Sequence, residues 1–210
     1  MMKNSTRERL LQSVNENIPL LQKNLTEVIS PLINDINYNK FKDELEIASI
    51  FTVATLDFLV NVKNYLSGKY FWEGPVVFKQ IYKIIFESHN KIAYRTITKN
   101  GIVNIEATEN NKKQSLWLSK MRRLINQENE SEYNRITKLI EDFKADNDFD
   151  YITKIRNHDG HYNEMKEYIK DMYSIDSDKT LNLAIEWEEI MIAVYNFSNA
   201  QLNKKISHLT

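Results

Sequence analysis

Residues 154–164 read Lys-Ile-Arg-Asn-His-Asp-Gly-His-Tyr-Asn-Glu and hold most of the chemistry this sequence offers. Two of the four histidines, one arginine and one of the four glycines fall in the six positions from Arg156 to His161. Histidine can take or give a proton near neutral pH. Arginine offers a fixed fork of donors that matches phosphate oxygens and stabilises charge developing there. Cleaving RNA through its own 2′-hydroxyl needs these parts: a base for the hydroxyl proton, an acid for the leaving 5′-oxygen, and positive charge on the phosphorane. Asn157 stands four residues before His161, on the same face if the segment is helical, where it could donate to phosphate or hold the imidazole. Gly160 would let such a helix kink, and Tyr162 could stack on a base or simply pack.

The run Arg156-Asn157-His158-Asp159-Gly160-His161, in the second half of a chain that reads as all-α, resembles the R-x4–6-H signature of the HEPN superfamily (higher eukaryotes and prokaryotes nucleotide-binding). It carries four intervening residues and the polar residue that many members have directly after the arginine. The resemblance implies a helical bundle, usually dimeric, in which two copies of the motif face each other and cleave RNA with no metal or cofactor. Arg156 and His161 would then be catalytic with Asn157, and His158, Asp159 and Tyr162 would support them. Each chain supplies one histidine at the motif position, and a two-fold dimer would bring His161 and its copy together. Members often act in toxin–antitoxin, abortive-infection or other defence systems, so an antitoxin protein is an implied partner; others are inactive binding domains.

Plainer readings stand beside this one. Arg156 could pair with a nearby acid on the surface, His161 could be a satisfied buried histidine or a helix-end residue, and His158 could be merely exposed. His158-Asp159 could also be the doublet of an all-α metal-dependent phosphohydrolase, which would recruit His89 and one of Asp171, Asp176 or Asp178. A third possibility is a non-catalytic dimer that binds RNA, nucleotide or a protein without turnover.

The elements that must position this segment are helices. The chain has 210 residues with 42% hydrophobic and 27% charged, enough for one domain spanning 1–210 with a sizeable core. Four Gly and three Pro leave few turns for a sandwich or barrel, and the absence of cysteine excludes disulfides, thiolate nucleophiles, zinc ribbons and iron–sulfur clusters. There is no glycine-rich phosphate loop, H-E-x-x-H, G-x-S-x-G or EF-hand run. The charged amino-terminal stretch is unlike a secretory signal, and the apolar run from Ile50 is broken by Asp57 and too short to span a bilayer, so a cytoplasmic protein is expected.

The spacing of Ser5 and Glu8 predicts a capping box ahead of Leu10, Leu11, Val14 and Ile18, with Pro19 and Pro31 interrupting or restarting the helix. Apolar residues crowd all sides from about 39 to 66, including Leu45, Phe51, Val53 and Phe58, as in a central helix covered on most of its surface and ending at Gly68. A third helix follows Gly74-Pro75 and runs towards Ile92. Asn100-Gly101 between two short alternating segments predicts a small hairpin within 96–106. Further helices are expected over 112–126, over 131–144, from near Phe149, and over 179–204 with a stripe of Leu183, Trp187, Ile190, Met191, Val194 and Phe197. The expected fold is thus an all-α, HEPN-like bundle of the segments 40–66, 75–95, 130–170 and 179–204, with the amino-terminal helices and the hairpin as additions.

Charge is uneven: residues 1–75 carry 8 Lys+Arg against 9 Asp+Glu, residues 76–125 carry 10 against 3, and residues 126–210 carry 10 against 17. The basic and acidic blocks could neutralise one another, or the basic one could steer an anionic partner. Lys113, Lys120 and Arg123 can share one face of a 112–126 helix, with Leu116, Trp117 and Leu124 on the buried side, and an RNA backbone could run along them.

Overall fold

The computed structural model describes residues 4–67, 73–93, 97–99, 102–104, 115–147, 149–157, 169–170 and 173–208. Among them the chain is all-α apart from one small hairpin. The helices are α1 (Asn4–Asn24), α2 (Ser30–Ile33), α3 (Lys42–Ser67), α4 (Glu73–Ile92), α5 (Glu130–Asp146), α6 (Phe149–Asn157) and α7 (Ser177–Ser207). The hairpin pairs β1 (Ile97–Lys99) with β2 (Ile102–Asn104) antiparallel, Lys99 opposite Ile102, which leaves the predicted two-residue connection; Asn100 and Gly101 themselves lie outside the described residues, as does Gly68.

α3 sits at the centre, packed by α1, α4 and α7, while α4 also carries α6, and α7 also carries α5. Period explains each face. On α3, Ile47, Ala48, Phe51, Phe58, Leu59 and Val62 are fully buried, and the hydroxyls of Thr52 and Thr55 donate to the carbonyls of Ala48 and Phe51, both at 2.7 Å, so these polar groups enter the core already satisfied. Val53 points outward at 44% exposure, so α3 is not covered on every side. By length and composition α3 could cross a membrane; half of its most apolar stretch is buried inside the fold.

The whole stripe of α7 from Leu183 to Phe197 is buried, as its three-and-four spacing predicts. Asp176 starts this helix by accepting from the backbone N–H groups of Asp178 and Lys179 at 2.8 and 3.0 Å. α5 and α6 begin within a residue of expectation. A smaller cluster of Ile29, Phe41, Leu45, Ala48 and Leu202 closes one end.

Four expectations fail here. α1 is already helical at Asn4, so Ser5 lies within the helix and does not head it. Pro19 does not interrupt α1: it and Asn15, whose carbonyl loses its N–H partner, are both exposed, so water can replace the missing bond. Nor is α1 an addition, because Leu10, Val14, Ile18 and Leu21 belong to the main core. It continues through a π-helical segment (Leu25–Ile29) into α2, where Pro31 is tolerated in the first turn.

Fourth, the expected 112–126 α-helix is a π-helical segment (Leu116–Lys120) followed by a 3₁₀ turn (Met121–Leu124). Ser115 caps it, accepting from Leu118 N–H and donating to the Ile92 carbonyl at the end of α4. Trp117 and Met121 are both buried in the core. Trp117 stacks on Tyr133 at 5.1 Å between centroids, and its indole N–H donates to Thr137 at 2.8 Å.

If α1 is part of the cooperative core, Leu21→Ala, at a position 1% exposed, should cost roughly 2–5 kcal/mol of unfolding free energy. The neighbouring Leu20→Ala, 59% exposed, should fall within about 0.5 kcal/mol of wild type. Urea denaturation followed by circular dichroism measures both; an appendage would leave the main transition unmoved by either change.

Candidate functional site

α6 presents the start of the motif. Phe149, Ile152 and Ile155 recur on one side and are buried, and Thr153 on the same side donates to the Phe149 carbonyl at 2.7 Å. They dock α6 against α4. Phe149 lies 4.5 Å from the His89 ring, and Tyr151 lies edge-on to Tyr82 at 5.6 Å. Lys179 from α7 sits over Tyr151 at 4.5 Å. The next side chain outward from this docked face is Arg156, in the last turn of α6.

Arg156 is held by α4. Its Nη2 and Nε both donate to Glu87 Oε1, at 2.5 and 3.2 Å, and its guanidinium carbon lies 5.0 Å from the Phe86 ring centroid. The side chain keeps 36% of its surface exposed, so the group is oriented without being sealed. The plainer expectation of an ion pair is therefore met, with Glu87 of α4 as an acid partner. Such a half-exposed pair contributes on the order of 0–1 kcal/mol to stability. Its stronger effect is geometric, since Glu87 and Phe86 together fix where the guanidinium points.

Asn157 is the final residue of α6. His158, Asp159, His161 and Tyr162 lie outside the described residues, and so does Lys113. The structure thus brings Arg156 and Asn157 to one helix end on α4 and describes no geometry for the proton-transfer half of the motif.

Two of the three residues proposed for a basic face, Lys120 and Arg123, lie within the described residues. Lys120 is bound to Glu46 of α3 at 2.6 Å, Arg122 pairs with Glu130 at 3.0 Å, and Arg123 is exposed. The first two pairs show basic-block residues meeting acids from outside that block.

His89, the upstream histidine required by the phosphohydrolase reading, is a core residue. It is 1% exposed, with the Phe149 ring at 4.5 Å and the Trp187 ring at 5.8 Å. Burial pushes its pKa down to about 3, with the Lys144 charge adding in the same direction. Lys144 is itself lowered to about 8 by burial. Asp176 is engaged as the cap of α7 and Asp178 lies in the first turn of that helix, while Asp171 is outside the described residues. Among the described residues no cluster of three or more His, Cys, Asp or Glu is placed to hold a metal ion.

Sequence reasoning missed Glu87, 69 residues before Arg156. Its rarity was the available signal, since Glu87 is one of only three acids in the basic block 76–125. In comparisons with known proteins, no family model matches the chain, and neither does any curated protein or solved structure.

His89 generates a pH prediction. A folded pKa near 3 against an unfolded value near 6.5 means that the unfolded chain binds the extra proton between those values. The contribution of neutral, buried His89 is complete above about pH 6.5 and is lost progressively as pH falls towards 3. Urea unfolding at pH 7, 5.5 and 4.5 should show stability declining with a slope of up to about one proton, and His89→Gln should flatten it. Parallel slopes for wild type and variant would refute this assignment.

Proposed function

We propose that this chain is a metal-independent endoribonuclease of HEPN type, working as a two-fold dimer in the cytoplasm. In it Arg156 stabilises the phosphorane, His161 moves protons, and Asn157 orients one or both. The observation that carries the reading is the seating of Arg156: a guanidinium fixed by Glu87 and Phe86 at a helix end, still partly open to solvent, immediately before the histidine-bearing segment. A donor fork whose direction is preset loses little freedom when a phosphate oxygen arrives. One histidine per chain at the motif position asks for a second copy, and two-fold dimers are the commonest soluble assembly. A toxin or phage-defence role, restrained by an antitoxin-like protein, is the setting the resemblance implies.

One observation favours a second reading. Glu87 already occupies Arg156, so a phosphate must compete with a carboxylate for the same donors. A dimer that binds RNA or a protein partner without turnover needs no such exchange at a reaction centre.

Incubating the purified chain with structured and unstructured RNA in EDTA separates these readings. The nuclease reading expects cleavage leaving 2′,3′-cyclic phosphate ends, with His161→Ala and Arg156→Ala each costing on the order of 10²-fold or more. RNA or partner binding with wild type and variants equally inert would transfer the case to the binding module. Activity that disappears in EDTA and returns with added metal would support the phosphohydrolase instead.

Light scattering at micromolar concentration should give about twice 24.9 kDa. A strict monomer would leave the proton-transfer machinery half built and overturn the dimeric site.

A further inference from the structure

Away from Arg156, a cleft of about 700 Å³ lies between α1, α5 and α7, within the roughly 300–1,000 Å³ usual for small-molecule sites. Leu10 from α1, Leu139 from α5, and Ile185, Ile192 and Phe197 from α7 supply apolar wall. Its polar groups form a directed chain. The Asn17 side-chain amide donates to Ser13 Oγ at 3.1 Å, and Ser13 Oγ donates to Glu188 Oε1 at 2.7 Å. Glu188 is only 6% exposed yet lines the cleft, and its Oε2 receives no hydrogen bond among the described residues.

The mouth is charged but balanced. Arg9 meets Glu189 at 3.3 Å, and Arg135 grips both oxygens of Glu132 at 2.7 and 2.8 Å. Each arginine has its own acid, which leaves Glu188 as the surplus charge. Burial pushes its carboxyl above the ordinary range, opposed by the Ser13 hydrogen bond and by Arg9, so its negative form gains from any cation brought close. An anionic ligand would be repelled there, and a neutral apolar one would strip water from Oε2 without replacing it. A cationic head on an apolar body satisfies the carboxylate and the walls together.

We propose that this cleft binds a small organic monocation, a primary ammonium on an apolar body, with Glu188 as its anchor and Ser13 setting the carboxylate's orientation. The site is independent of the nuclease reading, since none of its lining residues belongs to the motif.

Titration calorimetry of the full chain with phenylethylammonium chloride, phenylacetate and phenylethanol tests it, the three probes sharing a ring and a similar length. The ammonium should bind at least about tenfold more tightly than the other two. Glu188→Gln keeps an acceptor for Ser13 and removes the charge, and should weaken ammonium binding by about tenfold or more. Ala200→Trp, at an exposed position on the lining, should block entry while leaving helicity unchanged. Equal binding of all three probes, absence of ammonium binding up to about 10 mM, or wild-type affinity in folded Glu188→Gln would overturn the proposal. Should Glu188→Gln fail to fold, the probe series and Ala200→Trp still decide it.

Discussion

The burial of α3 is the constraint on which the other elements depend. Three helices, α1, α4 and α7, reach their places only by covering it, and each brings a stripe whose spacing suits one face of a helix. The hydrophobic return from a fully buried Phe, Leu or Ile side chain is roughly 1.5–3 kcal/mol, so a helix with ten buried residues dominates the choice of neighbours. Polar atoms on these surfaces do not work against the packing. Thr52 and Thr55 bond within their own helix, and the Trp187 indole donates to Ser88 on α4 at 3.0 Å. That last bond ties α7 to α4 one residue from His89, on the side where α6 docks.

Functional geometry follows from that docking. α6 is only nine residues long, too short to be stable alone, and is helical because Phe149, Ile152 and Ile155 are buried. The end of α6 is consequently as well placed as α4 is, and Glu87 and Phe86 carry the same rigidity outward to Arg156. The buried neutral imidazole of His89 lies under this joint. A histidine that would ordinarily respond to mild acid is thereby kept as a packing ring, in contact with Phe149 and Trp187.

Much of the bundle was legible in the sequence because burying one face imposes a period near 3.6 that survives in the residue order; the α7 stripe and the starts of α5 and α6 are direct results. The misses share a different cause. Whether Pro19 breaks a helix depends on whether the carbonyl it deprives faces water, and no local pattern records that. The residues Leu116, Trp117, Met121 and Leu124 have helical spacing, but they wind as a π-helical and then a 3₁₀ segment, headed by a Ser115 tied to the end of α4 that no local pattern records. At the candidate site, residue type announced what Arg156 could do, whereas its partner Glu87 belongs to another helix and became visible only through the packing of α6 on α4.

The pairing of α1 with α7 also bears on how the chain reaches its fold. Arg9 and Ser13 bond to Glu189 and Glu188, and Asn24 bonds to Asn199, so contacts from one of the first elements close about 175–180 residues later. Such separations raise the contact order and slow folding, because loop-closure entropy is lost before the contact is gained. During synthesis α1 can cover α3 early, but its flank facing α7 must wait until nearly every other helix has been made. The apolar residues there stand open to water, and to other nascent chains, until α7 has been made, which leaves this seam exposed to chaperone capture or misassembly.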